Sequence, residues 1–240
     1  LYSFEAFRRH LHDDERPIER ANMEWLDTDA VAAYVLQKKQ ARPGFAKLTE
    51  EQINELLCIT AKGVPTLAAV LNFVLYPQGL LPQLAITAVV VPGMTMGDMQ
   101  GAARFLDNKR MEGTLNNMLE EALAFCARNM KRRTIINAQT GKREYVTEYP
   151  LTAIREAVLN ALIHRDYSQY TEGTPVQILF FDDRLEIHSP GCLYGRLTVD
   201  QLGTARPDLR NPTLAVMAET LTAAEKRYSG IPTIRREMAS

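Results

Sequence analysis

The stretch Arg155-Glu156-Ala157-Val158-Leu159-Asn160-Ala161-Leu162-Ile163-His164-Arg165-Asp166-Tyr167 decides how this chain is read. As a helix it places Glu156, Asn160 and His164 at i, i+4 and i+8, a stripe that drifts by only about 40° per step. Ile154, Val158, Leu159, Leu162 and Ile163 fill most of the remaining circumference, and Ala153, Ala157 and Ala161 flank the stripe. A surface helix gives water a broader polar face than this. The pattern therefore predicts a mostly buried helix that turns a carboxylate, an amide and an imidazole toward one place. Burying such groups without partners costs about 1–3 kcal/mol each, so a polar cleft or a ligand is expected beside them. The small alanines leave room for a bulky ligand to approach.

Working outward, the chain alternates helix, strand and hairpin. Asp27 or Thr28 caps a helix carrying Val31, Tyr34, Val35 and Leu36, which Arg42-Pro43-Gly44 ends. Thr49-Glu50-Glu51-Gln52 fits a capping box for a second helix, and a third is expected from about Thr66 to Leu75. This helix pair lacks an Arg/Asn/Gln face for reading bases and is expected to serve packing. Leu84 to Val91 reads as a buried strand, and Thr114 to Met130 as a long amphipathic helix. A hairpin is expected around Thr140-Gly141, and another (Val176–Phe181 with Arg184–His188) around Asp182-Asp183. A Gly-rich loop from Ser189 to Gly195, a helix from Asn211 to Leu221 and a Gly230-Ile231-Pro232 turn complete the reading. Without strict βαβ periodicity, this predicts an α+β sandwich, helices on a mixed β-sheet.

Composition sets bounds. The 240 residues are 46% hydrophobic and 24% charged, with net charge −1, an ordinary globular balance and no global basic footprint for nucleic acid. The densest basic stretch, Arg128, Lys131, Arg132 and Arg133 with Lys142 and Arg143, suits a helix C-terminus and a solvated hairpin better than a phosphate patch. Cys58, Cys126 and Cys192 show no CxxC spacing, so a reducing cytoplasm is expected rather than a disulfide or zinc framework. No segment reaches the roughly 18–20 apolar residues that would cross a bilayer. The chain starts at Leu1 and reads as a piece of something longer.

Glu156-x-x-x-Asn160-Ala161-x-x-His164-Arg165-Asp166-Tyr167-Ser168 resembles the N-box of the GHKL ATPases. More narrowly it is similar to RecG-related proteins and Schlafen AlbA-type transcriptional regulators. The likeness continues through Phe181–Gly191, Leu197-Thr198, Arg210-Asn211-Pro212 and Tyr228–Pro232, and upstream through Leu48–Glu51 and Pro65–Ala68. It implies a GHKL-like two-layer sandwich preceded by a helical connector. Residues 1–46 would be the connector after a mostly absent AlbA-type DNA-binding domain, 47–147 a helical/αβ middle segment, and 148–240 the GHKL-like ATP-binding subdomain.

The resemblance further implies ATP and Mg²⁺ as cofactors. Glu156 would activate the attacking water and Asn160 would ligate the metal, with His164, Ser189, Gly191, Gly195, Arg210 and Gly230 around the nucleotide. Three departures point to weak ATPase activity at most. Ser189 stands where the family has an adenine-reading aspartate, Leu193 where it has a glycine, and Tyr228 where the last glycine box begins. The absence of a Gly-x-x-x-x-Gly-Lys-Ser/Thr loop argues against a helicase motor. The implied whole is a cytoplasmic, bacterial regulator that contacts DNA through residues upstream of this chain. It also allows a homodimer. The competing reading is a non-catalytic dimerisation or interaction module that no longer binds nucleotide.

Overall fold

The computed structural model describes residues 12–97, 105–136, 143–205, 208–222 and 230–239. The helices are α1 (Thr28–Ala41), α2 (Glu50–Leu56), α3 (Leu67–Phe73), α4 (Leu115–Asn129), α5 (Leu151–Ile163), α6 (Pro212–Leu221) and α7 (Gly230–Met238). The strands are β1 (Thr60–Ala61), β2 (Val64–Pro65), β3 (Ile86–Val90), β4 (Asp107–Met111), β5 (Arg132–Ile136), β6 (Arg143–Thr147), β7 (Val176–Phe180) and β8 (Leu185–His188). Short polar side chains start the helices as the sequence predicts. Asp27 accepts from the Asp29 and Ala30 amides, Thr49 and Gln52 form the capping box, and Thr66 and Thr114 cap α3 and α4.

The main sheet runs β4-β3-β7-β8, with β3 parallel to β7 and both outer pairs antiparallel. Strand alternation sends Ile86, Ala88, Val176, Ile178 and Phe180 to a buried face, while Thr87, Val89, Gln177 and Leu179 remain partly or fully exposed. Among the described residues helices cover only the buried face, a two-layer α+β sandwich. In α4, Leu115, Met118, Leu119, Ala122, Phe125 and Cys126 recur at helical spacing and are all buried. Phe125 and Tyr149 both pack on Phe180, with ring centroids 6.2 and 6.4 Å away.

Three expectations change. The segment from Gly230 is a helix, α7, rather than a turn: Pro232 lies within its first turn, where a missing N–H costs nothing. The strand Asp107–Met111 carries almost no apolar signal, yet pairs along β3 from Ile86↔Met111 to Val90↔Asp107. The bend between α2 and α3 is a small hairpin, held by Glu55, which accepts from the Thr60 hydroxyl and the Lys62 and Gly63 amides. Helix α3 itself is buried from Leu67 to Leu71, so it cannot lie in a DNA groove. The Thr140-Gly141 turn and Tyr228-Ser229 lie outside the described residues.

A 3₁₀ turn, Asp13–Glu15, ties the first described residues to the start of α6. Asp14 is fully buried; one carboxylate oxygen accepts from the Leu214 amide at 2.9 Å, and the other has no hydrogen-bond partner. Burial pushes this carboxyl up to about 6, against the help of the Leu214 amide. A folded-state value above the unfolded one favours the protonated form. The stability Asp14 contributes is therefore complete below pH 4 and is lost as pH rises through 6. Urea unfolding of Asp14→Asn, which cannot ionise, should improve relative to the unsubstituted protein by about 3 kcal/mol between pH 4 and pH 7. A pH-independent difference would refute this assignment.

Candidate functional site

The polar stripe of α5 is half-buried at Glu156 and Asn160 and exposed at His164. It faces α7, which packs along α5. Thr152 donates to Glu237 at 3.1 Å near one end of the pair. Near the other, a Cβ on Gly230 would lie 2.5 Å from Asn160 Nδ2 and 3.0 Å from Oδ1. The two helices thus run antiparallel, and the first residue of α7 sits on the Asn160 amide. The stripe is a helix–helix interface over most of its length, rather than the wall of an open cleft. Glu156 has an interaction of its own. Arg155, on the flank, reaches Glu120 of α4 at 3.1 Å and the Thr222 carbonyl at the end of α6.

The C-terminal end of α5 gathers the remaining candidates. A helix leaves its last four carbonyls without internal donors. Here the Asn160 carbonyl still accepts from the His164 N–H at the helix end, and the next three find side-chain donors: the Ser189 hydroxyl donates to Ala161 at 2.7 Å, the Tyr167 hydroxyl to Leu162 at 2.8 Å, and the Asn211 amide to Ile163 at 2.7 Å. The same Asn211 nitrogen also reaches the Arg165 carbonyl at 2.7 Å. Ser189, in the position of the family's aspartate, is therefore stapled to α5 through its own proton.

Beyond the helix, Asp166 and Arg210 form an ion pair at 2.9 Å with side chains 15% and 10% exposed. Arg210 also donates to the Cys192 carbonyl at 2.9 Å and lies over the Tyr194 ring. Gly191, at φ +111°, passes between them: a Cβ there would fall 2.8 Å from both Arg210 Nη1 and Asp166 Cβ. Only glycine fits that space and that backbone. Gly195, at φ +69°, is closed in by Asp208. Gly203 lies on Ile231 and Arg235, so the segment after Gly195 rests on α7. Desolvation, and after it the nearby Arg210 charge, lower the His164 pKa from the ordinary histidine value.

Asn160, His164, Ser189, Gly191, Arg210 and Gly230 thus all meet the last turns of α5, whereas Gly195 stands beside Asp208. Residues not singled out from the sequence hold the arrangement: Asp166, Asn211 and the buried Arg165, which donates to the Thr171 and Thr174 carbonyls. The signal for Asn211 was its place before Pro212, which reads as a cap for α6; its side chain instead caps α5. The basic stretch after α4 is also committed locally. Arg128 pairs with Asp107, Lys131 with Glu148 and the Asp182 carbonyl, and Arg132 with the Ala127 carbonyl.

Among the described residues no group of three or more His, Cys, Asp or Glu side chains is placed to hold a metal, and no helix is long and apolar enough to cross a membrane. A magnesium ion bound by one amide oxygen and phosphate oxygens needs no such cluster.

Residues 173–240 match the family model described as "Putative ATP-dependent DNA helicase recG C-terminal". The match includes Ser189, Gly191, Gly195, Arg210 and Gly230 and begins after α5, leaving Glu156, Asn160 and His164 outside it. Among solved structures, the DIP2311 protein from Corynebacterium diphtheriae aligns over 96% of this chain and 44% of its own, at 22% identity and a TM-score of 0.65. That likeness is one of fold, and this chain spans less than half of that protein's length. No curated protein matches. Over residues 173–240 the chain carries a RecG C-terminal-like, HATPase-like domain.

Proposed function

We propose that this module binds Mg²⁺-ATP at the junction of α5 and α7 and passes its state to a DNA-binding region upstream, as part of a RecG-related transcriptional regulator. The observation that carries the reading is the seat of Gly230 on Asn160. The first N–H groups of a helix are unsatisfied and attract anions, and the lack of a side chain at Gly230 lets this helix start come directly onto the Asn160 amide, which takes the place of a Cβ. Gly230, Ile231 and Thr233 can offer amides to phosphate; Pro232 cannot. Asn160 Oδ1 is a hard oxygen suited to magnesium. Bound magnesium would neutralise phosphate charge.

Ser189 bears on the base. Its proton is given to the Ala161 carbonyl, so its oxygen has only lone pairs to offer and would accept from an exocyclic amino group while rejecting a carbonyl. Without charge that bond is weaker than one to an aspartate. Glu156 lies one helical turn from Asn160, where a general base would stand. It already has a partner, which fits slow turnover or none.

A second reading, a non-catalytic interaction module, is favoured by the cover that α7 gives the stripe. Calorimetry separates the two. ATP with Mg²⁺ should bind, and Asn160→Ala should weaken binding about tenfold or more and remove its dependence on magnesium. Gly230→Ala, which places a methyl group on the Asn160 amide, should do the same while the fold persists by circular dichroism. No heat at millimolar ATP with magnesium would eliminate the nucleotide reading. In a phosphate-release assay, Glu156→Gln should keep binding and lose any turnover; equal turnover would remove Glu156 from the chemistry.

A further inference from the structure

We infer that the Asp13–Glu15 turn, the first turn of α6 and the Asp166–Arg210 ion pair form one mechanical linkage, through which the grip of that turn on α6 sets whether the Gly191 loop is held against α5. The linkage is independent of whether nucleotide binds. Its hub is the five-residue stretch Arg210–Leu214, held from three sides. From the connector, His12 Nδ1 donates to the Arg210 carbonyl at 3.0 Å, Asp14 accepts from the Leu214 amide at 2.9 Å, and Glu15 accepts from the Thr213 hydroxyl at 3.2 Å. From α5, the Ile163 and Arg165 carbonyls hold Asn211. From the loop, the Cys192 carbonyl and the Tyr194 ring hold the Arg210 guanidinium, which Asp166 anchors.

The coupling follows from a shortage of caps. An asparagine before a helix normally caps it with its own side chain. Asn211 does not: its Nδ2 is turned to the Ile163 and Arg165 carbonyls, its Oδ1 meets no donor, and it makes no cap hydrogen bond to α6. Asp14 supplies the cap in trans. If the turn lets go, the first turn of α6 loses its side-chain acceptor and the backbone that sets Arg210 loses its hold. Arg210 then leaves Asp166 and Cys192, and Gly191, which fits only between Arg210 and Asp166, is no longer pinned.

Two amides report the two ends: Leu214 N–H, bonded to Asp14, and Asp166 N–H, bonded to the Pro190 carbonyl at 2.9 Å. Residue-resolved hydrogen exchange should show both accelerated about tenfold or more in Asp14→Ala, with Ile178 in the sheet unchanged. Asp14→Asn keeps an acceptor oxygen and should leave both no faster than in the unsubstituted protein. Arg210→Gln should accelerate Asp166 alone. Acceleration of Leu214 without Asp166 in Asp14→Ala would overturn the linkage, as would equal acceleration by Asp14→Asn. Should Asp14→Ala fail to fold, His12→Ala tests the same route: a folded variant with Asp166 protection unaltered would also overturn it.

Discussion

The three carbonyls at the end of α5 that no helix N–H reaches, those of Ala161, Leu162 and Ile163, are the constraint around which this molecule is organised. Most helices end by handing such groups to water or to a glycine turn. Here all three are satisfied by side chains that come from the following turn, from the loop after β8 and from the start of α6. Each such bond contributes about 1 kcal/mol, but losing one strands a buried carbonyl at about 1–3 kcal/mol. The helix end, the loop and α6 are consequently fixed relative to one another by one small set of contacts. That set also fixes Ser189 directly and Arg210 through its neighbour Asn211.

Charge reinforces the arrangement. Arg165 is 2% exposed, lies over the Tyr167 ring and finds carbonyls rather than a carboxylate. Asp166, next in sequence, takes Arg210 from across the structure. The His164-Arg165-Asp166 run is thus mainly a structural cluster that ends a helix, with only His164 at the surface.

The sequence made some of this legible. The 3.6-residue apolar period of α5 located the helix and its stripe, and threonine and aspartate caps located most other helix starts. Ser189, Gly191, Arg210 and Gly230 were reachable only through resemblance, and all four come to the same helix end. What covers the stripe was not legible, because the Gly-Ile-Pro sequence at the start of α7 reads as a turn. The edge strand Asp107–Met111 was invisible for a similar reason: alternating charged residues show no apolar period, and its pairing is decided by β3. The role of Asp14 lay beyond any local pattern, since its partner Leu214 is brought to it only by the folded chain.

The parallel pairing of β3 with β7 has a consequence for how the chain reaches this state. Ile86 meets Val176 some ninety positions further along, and α4, the β5–β6 ribbon and α5 all lie in between. The sheet core therefore cannot close until a long intervening excursion has organised itself, and such non-local contacts place the protein among slow folders. Until then the apolar edges of β3 and β7 stay open to neighbouring chains, so synthesis at high concentration favours association over the native route.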